Sequence, residues 1–171
     1  MSGEYILKVV VVGDLAVGKT SLVVRYAENK FPTSYKPTIG ADIMVKMVDL
    51  KGRKVRLAIW DIAGHETFQK IRRYYYQGAA GALILYDVTN PESFEHVKDW
   101  YEDVVTHCGK IPVVLIGNKI DLKDQRKVTT EQGIKKAEEM GLSKFLETSA
   151  KTGVNVHTAF VSIIEEVLKI T

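Results

Sequence analysis

The sequence predicts an α/β domain built on a mostly parallel sheet. Short apolar runs rich in β-branched residues alternate with amphipathic stretches along the 171 residues, which is the pattern of strands connected by helices. Glycine and proline separate these stretches, and neither a repeat nor a linker interrupts them. In such sheets ligands bind beyond the carboxyl ends of the strands, so the loops at that edge are where chemistry is expected.

The first half of the chain contains four predicted strands and one clear helix. Tyr5–Val12 (YILKVVVV) is short and β-branched, which predicts a fully buried strand. Lys19–Asn29 has apolar residues at helical spacing and is predicted as a helix. Ala41–Leu50 and Lys54–Trp60 flank a short turn, so they are predicted to form an antiparallel hairpin. The other predictions are a loop over Phe31–Gly40, a loop and loose helix over Ile62–Gln77, and a buried strand over Ala80–Tyr86.

The second half alternates helix and strand. Pro91 suits a first helical position, and apolar residues at helical spacing continue from there to Cys108. Thr130–Met140 is a predicted helix that stops at Gly141. The remaining predictions are strands over Ile111–Ile116 and Lys144–Glu147 and a final helix over Val154–Ile170. The result is one domain over residues 1–171, with a six-stranded, mostly parallel sheet, one antiparallel edge strand and about five flanking helices.

Length and composition exclude several classes of protein. A chain of 171 residues can bury a core without staples, and its one cysteine cannot form an internal disulfide. The 24 basic and 21 acidic side chains give a net charge of +3 and are spread along the chain, which argues against a nucleic-acid surface. No apolar run approaches the roughly 18 residues of a membrane span. The start, MSGEYILK, is not expected to be a secretory leader.

A glycine-rich loop follows the first strand. Gly13–Thr20 reads GDLAVGKT and matches G-x-x-x-x-G-K-[ST] between a predicted strand and a predicted helix. Such a loop turns successive N–H groups toward a phosphate, and the helix N-terminus adds partial positive charge. Lys19 is predicted to reach the β- and γ-phosphates of a nucleotide, and Thr20 to offer its hydroxyl to Mg²⁺. The alternative is a chance glycine turn, against which the flanking strand and helix argue.

A second loop selects the base. Asn118-Lys119-Ile120-Asp121 follows the strand that ends near Gly117. A carboxylate accepts two hydrogen bonds from the N1–H and exocyclic amine of guanine, whereas adenine would leave it unpaired. Asp121 is therefore predicted to read guanine, while Asn118 braces the loop and the Lys119 stem packs over the ring. Alone, this tetrapeptide would be a plain loop before a helix; with the phosphate loop it indicates a guanine nucleotide site.

These motifs resemble those of the Ras superfamily of small GTPases, and the chain is most similar to the Rab branch. The resemblance extends from Ile6 to about Leu168. It implies a P-loop GTPase fold and a switch that binds GTP or GDP with Mg²⁺ and hydrolyses GTP, with a role in vesicle or membrane traffic. The implied nucleotide contacts are Leu15, Ala16, Val17, Gly18, Lys19, Thr20, Ser21, Phe31, Tyr35, Thr38, Gly64, Asn118, Lys119, Asp121, Leu122, Ser149, Ala150 and Lys151.

Two segments resemble the switch regions of that family. Tyr35–Gly40 (YKPTIG) is similar to switch I, where Thr38 would bind Mg²⁺ only when a γ-phosphate is present. Trp60–Gly64 (WDIAG) is similar to the start of switch II, where Asp61 would hold Mg²⁺ through water and the Gly64 N–H would contact the γ-phosphate. The implied metal ligands are Thr20, Thr38 and Asp61, and the implied catalytic residues are Lys19, Thr38, Gly64 and His65.

The sequence departs from the family pattern where hydrolysis is concerned. His65 stands where the family carries its water-positioning glutamine. A neutral imidazole also offers one donor and one acceptor, but with a different reach, and it can become charged near neutral pH. Two interpretations stay open: His65 works by a changed mechanism, or it is a poor substitute. We expect slow hydrolysis; the alternative is an interaction module that holds GTP with negligible turnover.

Two further departures bear on the same step. Leu15 and Ala16 stand where the family often has smaller residues, and Leu15 is bulky enough to crowd the γ-phosphate or an incoming catalytic residue. The alternative is that Leu15 points to solvent and matters little. Phe31–Gly40 contains no arginine, so no internal arginine finger is predicted there. Arg72 and Arg73 are interpreted as a solvated face.

The resemblance also implies partners. Effector, exchange-factor and GTPase-activating proteins would bind through the two switches. The candidate contacts, for each of which core packing is the alternative, are Ile39, Ile43, Trp60, Phe68, Ile71 and Tyr75. Rab proteins usually carry an aromatic residue where Ile43 stands, and a prenylated tail that Cys108, placed in a loop after a helix, cannot supply. We expect a cytoplasmic monomer that contacts membranes only through a missing tail or a partner.

Overall fold

The structure, a computed structural model, describes residues 3–32, 38–65 and 69–169. The strands are β1 (Glu4–Gly13), β2 (Ala41–Leu50), β3 (Arg53–Ile62), β4 (Gly81–Asp87), β5 (Val113–Asn118) and β6 (Lys144–Thr148). The helices are α1 (Lys19–Glu28), α2 (Gln69–Tyr76), α3 (Pro91–Glu95), α4 (Val97–Cys108), α5 (Thr130–Glu139) and α6 (Val156–Leu168), with a 3₁₀ turn over Lys123–Gln125.

The strands form one six-stranded sheet in the order β2-β3-β1-β4-β5-β6. Only the β2–β3 pair is antiparallel among the described strands, and it closes through Lys51 and Gly52, whose φ angles of 51° and 79° suit a tight hairpin. The other pairs are parallel because helices carry the chain back across the sheet. The predicted fold class is confirmed, with α3 and α4 nearly continuous and counted as one of about five helices.

The predicted helix from Pro91 to Cys108 is observed as α3 and α4, which meet at His96; this residue keeps helical backbone angles (φ −75°, ψ −8°), and its N–H donates to the Glu92 carbonyl oxygen over 3.1 Å. α3 is tied to the end of β4, since the Asp87 N–H donates to Ser93 Oγ over 2.9 Å. His96 is held from another direction, because its Nδ1 lies 2.6 Å from Asp14 Oδ2. The contact between His96 and Asp14 joins residues far apart in sequence, so no local pattern predicts it. Cys108 is the last residue of α4 and not part of the following loop.

The sheet separates two apolar cores. On one face α1 and α6 cover alternate residues of the central strands, and on the other face the remaining helices cover the residues between them. The prediction that β1 is buried throughout is wrong at its start, where Tyr5 is 40% and Ile6 is 70% exposed. The reason is register: β1 pairs with β3 from Glu4 onward but with β4 only from Val9, so its beginning extends past the covered part of the sheet.

Strand order brings five loops to one edge of the sheet. The strands β1, β3, β4, β5 and β6 run parallel, so the residues that follow them meet at their common carboxyl edge. The phosphate loop, the start of the predicted switch II and both predicted base loops are among them. Among the helices of the described segments, none is long and apolar enough to span a bilayer.

Candidate functional site

A cavity of about 460 Å³ opens at this edge. The predicted nucleotide contacts that line it are Leu15, Ala16, Gly18, Lys19, Thr20, Ser21, Phe31, Thr38, Gly64, Asn118, Lys119, Asp121, Leu122, Ala150 and Lys151. Val17 and Ser149 are buried and do not line it. Tyr35, with Lys36 and Pro37 of the predicted switch I, lies outside the described residues. The structure thus brings together in one concave site residues that the sequence places in five separate segments.

The phosphate loop is held in an unusual backbone conformation. Gly18 has a φ of 100°, and a side chain there would collide with the amide group of Asn118. Ala16 also adopts the left-handed region, at a φ of 67°, which a residue with a Cβ reaches only at a cost. Such strain persists where surrounding contacts enforce it, and it is common where a backbone must wrap a ligand.

Lys19 is buried inside the phosphate loop. Its side chain is 6% exposed, and Nζ donates to the carbonyl oxygens of Gly13 and Asp14 over 2.8 and 2.7 Å. Burial lowers the pKa of this ammonium to about 8, although the nearby carboxylates of Asp61 and Asp14 oppose the shift. Phosphate oxygens would favour its charged form further, as an opposite charge does within a few ångströms.

The three predicted metal ligands meet beside Lys19. Thr20 Oγ1 donates to Asp61 Oδ2 over 2.6 Å, and Thr38 Oγ1 lies 3.0 Å from Thr20 Oγ1 and 3.3 Å from Asp61 Oδ2. Burial raises the pKa of Asp61, and hydrogen bonds from Thr20 oppose that shift. The other oxygen of Asp61, Oδ1, is buried without a hydrogen-bond partner among the described residues. Hydroxyl and carboxylate oxygens are ligands that Mg²⁺ prefers, so this set fits the ion.

The base loop is braced against the phosphate loop. Asn118 Nδ2 donates to the Val17 carbonyl oxygen over 3.0 Å, and Asn118 Oδ1 accepts from Thr148 Oγ1 over 2.8 Å. Lys119, at a left-handed φ of 72°, donates from Nζ to the Ala16 carbonyl oxygen over 2.7 Å. These bonds join the two loops, because the base loop donates to carbonyl oxygens of the phosphate loop at two points.

Asp121 is oriented by the last base loop. Ser149 Oγ donates to Asp121 Oδ1 over 2.8 Å and accepts from the Thr152 N–H over 3.0 Å. Because Ser149 is 1% exposed, its hydroxyl is a fixed donor with little competition from water. The carboxylate therefore has a defined direction before any base binds.

Ser149→Ala is expected to lower the affinity for GDP about fivefold. Losing one hydrogen bond to a carboxylate costs about 1 kcal/mol or somewhat more, and the freed Asp121 must then be ordered by the base itself. Titration of the purified variant with fluorescent GDP measures the change. Ser143→Ala removes an exposed hydroxyl outside the cavity and is the matched control. Equal affinities for the two variants would contradict the orienting role of Ser149.

His65 lies beside the first cavity, and a second cavity begins there. This second cavity, of about 760 Å³, is lined by Leu15, Gly64, His65 and Arg72 together with residues of α3 and α4. Leu15 is 43% exposed and lines both cavities. Its side chain is therefore only partly exposed to solvent and lies close to the predicted phosphate site. A Cβ on Gly64 would lie 2.5 Å from the Gly13 carbonyl oxygen, which shows how closely this segment packs on the phosphate loop.

The interpretation of Arg72 as part of a solvated face is wrong. Its side chain is buried, at 7% exposure of the residue, with the guanidinium 4.7 Å from the ring centroid of Trp100. Arg72 Nη1 donates to the His65 carbonyl oxygen over 3.2 Å, and Nε lies 3.4 Å from Asp103 Oδ2. A buried guanidinium needs such partners; α4 supplies the counter-charge and the aromatic ring, and the His65 carbonyl oxygen accepts the hydrogen bond. Arg73 is exposed, as predicted.

The predicted partner contacts form a mixed surface. Trp60 and Tyr75 are half-buried with ring centroids 6.2 Å apart, and Lys8 Nζ lies 3.7 Å from the centroid of the Trp60 ring. Ile43 lies opposite Trp60 across the β2–β3 pair and is exposed. Ile39 and Ile71 are exposed as well, and Phe68 lies outside the described residues. Trp60 and Tyr75 thus pack partly against their neighbours and are partly accessible to a partner, so both interpretations hold in part.

Sequence reasoning assigned no role to two residues that hold the site. Asp87 Oδ2 lies 3.1 Å from Lys119 Nζ. Asp87 is the last residue of β4, on the same sheet edge, and this position could have indicated its role from the sequence. Arg25 donates from Nε to the Ala150 carbonyl oxygen over 2.8 Å and from Nη2 to that of Lys151 over 2.6 Å. More than a hundred residues separate these partners, so no local pattern indicated that bond.

The sequence is similar to known proteins along nearly its whole length. Residues 8–169 match the family model described as the Ras family. GTP-binding protein ypt2 of Schizosaccharomyces pombe is 45% identical over 169 residues, which are 98% of this chain and 84% of that protein. Ras-related protein RABA5b of Arabidopsis thaliana is 45% identical over 165 residues, covering 96% and 76%. Human Ras-related protein Rab-8B is 40% identical over 166 residues, covering 96% and 80%.

Proposed function

We propose how this chain, which belongs to the Ras family and within it to the Rab branch of small GTPases, uses the site described above. The chain is a switch that binds GTP and GDP with Mg²⁺, hydrolyses GTP and acts in membrane traffic. We assign this function to a single domain over residues 1–171. The observation that carries the residue assignment is that Lys19, Thr20, Thr38 and Asp121 line one cavity, although they come from three separate segments.

Lys19 and Asp121 recognise two different parts of the nucleotide. The backbone N–H groups of the phosphate loop and the Lys19 ammonium bind the phosphates in this proposal, which the position of the loop at the start of α1 and beside the cavity supports. Asp121, oriented by Ser149, accepts from the guanine N1–H and amine. Phe31, Leu122, Ala150 and Lys151 enclose the base and ribose.

Thr20, Thr38 and Asp61 are the residues that would hold Mg²⁺. The observed hydroxyl–carboxylate cluster and the partnerless Asp61 Oδ1 support this assignment. When bound, the ion neutralises charge on the β- and γ-phosphates. Thr20 and Asp61 belong to fixed elements of the sheet edge, whereas Thr38 belongs to the predicted switch I. Thr38 therefore links the predicted switch I to the ligands at the sheet edge.

The output of the protein is conformational. Thr38 and Gly64 both contact the γ-phosphate in this proposal, so its loss releases two segments at once. The tight packing of Gly64 on the phosphate loop supports its part in this response. Effectors, exchange factors and activating proteins act on members of this family, and we place their contacts here on Ile39, Ile43, Trp60, Ile71 and Tyr75. A monomeric state, a cytoplasmic location and the lack of a nucleic-acid surface stay predictions.

Hydrolysis is proposed to be slow because His65 replaces glutamine. The bulk of Leu15, which lines both cavities, adds to this by narrowing the approach to the γ-phosphate. A protein that holds GTP with negligible turnover is the alternative. We favour the slow switch, because the groups that would bind Mg²⁺ and the γ-phosphate are together in one site.

Replacing Thr20 by Ala tests the metal site. The variant is expected to release fluorescent GDP at least tenfold faster than the wild type in millimolar Mg²⁺, since one hydroxyl ligand and its bond to Asp61 are gone. Chelation with EDTA should accelerate release from the wild type but change the variant little. Thr158→Ala, which removes an exposed hydroxyl on α6, is the matched control.

Two results would overturn the assignment. One is a Thr20→Ala variant whose GDP release still responds to EDTA like that of the wild type. The other is displacement of GDP by ATP at comparable concentrations, because a site built around Asp121 should reject adenine by several orders of magnitude.

A further inference from the structure

The carboxylate of Asp14 in the phosphate loop is bound from outside the loop. Its Oδ1 accepts from Trp100 Nε1 over 2.8 Å, and its Oδ2 lies 2.6 Å from His96 Nδ1. Both partners belong to one structural unit, since His96 directly precedes α4 and Trp100 lies in its first turns. A residue of the predicted phosphate site therefore has both of its side-chain oxygens attached to a helix that supplies no predicted nucleotide contact.

The main chain of Asp14 is part of the phosphate site itself. Its carbonyl oxygen accepts from Lys19 Nζ over 2.7 Å, and Leu15, the next residue, lines the nucleotide cavity. A Cβ on Gly64 would lie 2.9 Å from the Asp14 carbonyl carbon. Any displacement of Asp14 would move the hydrogen-bond acceptor of Lys19 and the surface on which Gly64 packs.

The partners of Asp14 also offset its charge. A carboxylate next to a site for several phosphates is electrostatically unfavourable, and a nearby cation reduces that cost. The hydrogen bond to Asp14 raises the pKa of His96, although burial opposes the shift. The other ionisable groups around this imidazole are Glu92 on α3 and Asp99 on α4, with Arg72 and His65 across the second cavity.

We propose that His96 and Trp100 are positioning residues for nucleotide binding, which fix Asp14 and through it the phosphate loop, and so slow nucleotide release. The proposal rests on the assignment of the phosphates to this loop. The residue that reaches Asp14 is the one at which α3 and α4 meet. The proposal also assigns to α4 an influence on how long a nucleotide state persists.

Release of fluorescent GDP from the Mg²⁺-bound full chain tests the proposal. His96→Ala is expected to accelerate release roughly tenfold, as the loss of a hydrogen bond to a charged group does. Trp100→Phe keeps the ring beneath Arg72 but removes the N–H, and it is expected to accelerate release several-fold. His107→Ala is the matched control, because His107 also lies on α4 and bonds through Nδ1, but to the Asp103 carbonyl oxygen.

The pH dependence of GDP release distinguishes a positioning role of His96 from a role in packing alone. The charged form of His96 predominates below its raised pKa, so the attraction to Asp14 is complete below about pH 6.5 and declines as pH rises through that pKa. GDP release from the wild type should therefore accelerate several-fold with rising pH. His96→Asn keeps a neutral donor but does not titrate, so its profile should lose this component, while that of His107→Ala should keep it.

The comparison with Asp14→Ala decides whether the effect passes through Asp14. In that background His96→Ala should change the release rate no further, since the acceptor is already gone. The proposal is overturned if His96→Ala, His96→Asn and Trp100→Phe all release GDP at the rate of the His107→Ala control. It is also overturned if His96→Ala keeps its full effect beside Asp14→Ala. Failure of the phosphate-site assignment is a distinct result: Lys19→Ala would then bind GDP as tightly as the wild type.

Discussion

Asp121→Asn is expected to weaken binding of GDP and GTP roughly a thousandfold, the largest change that we predict for a single side chain. The carboxylate accepts from both the N1–H and the exocyclic amine of guanine. An amide can accept only one of these bonds and presents its NH₂ group to the other donor, which leaves two buried donors facing each other. Ser149 worsens the mismatch, because its fixed hydroxyl donates to Asp121 Oδ1 in the wild type.

The same variant should gain affinity for xanthosine diphosphate, whose second carbonyl accepts from the new amide where guanine has a donor. Competition of GDP, xanthosine diphosphate and ADP against one fluorescent nucleotide measures all three affinities. Asp124→Asn makes the same chemical change on an exposed residue of the neighbouring 3₁₀ turn and should leave the order of affinities unaltered. An Asp121→Asn protein that still prefers GDP to xanthosine diphosphate would show that another group reads the base.

His65→Gln is expected to raise the rate of GTP hydrolysis about tenfold or more. An amide has its donor and acceptor at the end of a flexible chain and suits the orientation of water against the γ-phosphate, whereas the imidazole ring fixes them at a different reach. A misplacement of about 1 Å at such a step costs up to roughly a hundredfold. The main chain at this position is held by Arg72, so the substitution changes the side chain on a backbone that is already fixed.

Single-turnover hydrolysis of protein-bound GTP, with the yeast relative ypt2 measured alongside, gives the rates. His157→Gln repeats the change on an exposed residue of α6 and should have no effect. Leu15→Ser, alone and with His65→Gln, shows how much the bulk of Leu15 contributes, and the two changes should reinforce each other because both side chains line the second cavity. The slow-switch proposal is wrong if the wild type hydrolyses GTP as fast as ypt2 and neither substitution alters its rate.

The pattern of apolar residues along the sequence predicted helices and strands well where the residues of one buried face decide whether a segment is a helix or a strand. The β-branched runs of β1, β4 and β5 and the spaced apolar residues of α1, α5 and α6 were all placed within a few residues of their observed bounds. Errors arose where tertiary contacts decide. The exposure of Tyr5 and Ile6, which were predicted to be buried, depends on where β4 begins beside β1.

Arg72 shows the same limit for a charged side chain. The residues next to Arg72 in sequence are those of a solvent-exposed helix face, and arginine side chains are usually exposed. The structure buries it because Trp100 provides a surface for the guanidinium and Asp103 a counter-charge. Those two residues lie on α4, so only the packing of α2 against α4 could show that Arg72 has partners.

The sequence by itself determined the class of fold, the phosphate loop and the base loop of this protein. Each depends on residues that are close together in sequence. The spacing of apolar residues sets the type of each element, the glycine-rich loop follows a strand, and the carboxylate that reads the base lies next to a strand end. The resemblance implied that Thr20, Thr38 and Asp61 share a metal ion, but only the tertiary structure decided that Ser149 orients Asp121 and that α4 holds Asp14. These contacts join distant parts of the chain, and they exist because the order of parallel strands brings their loops to one edge.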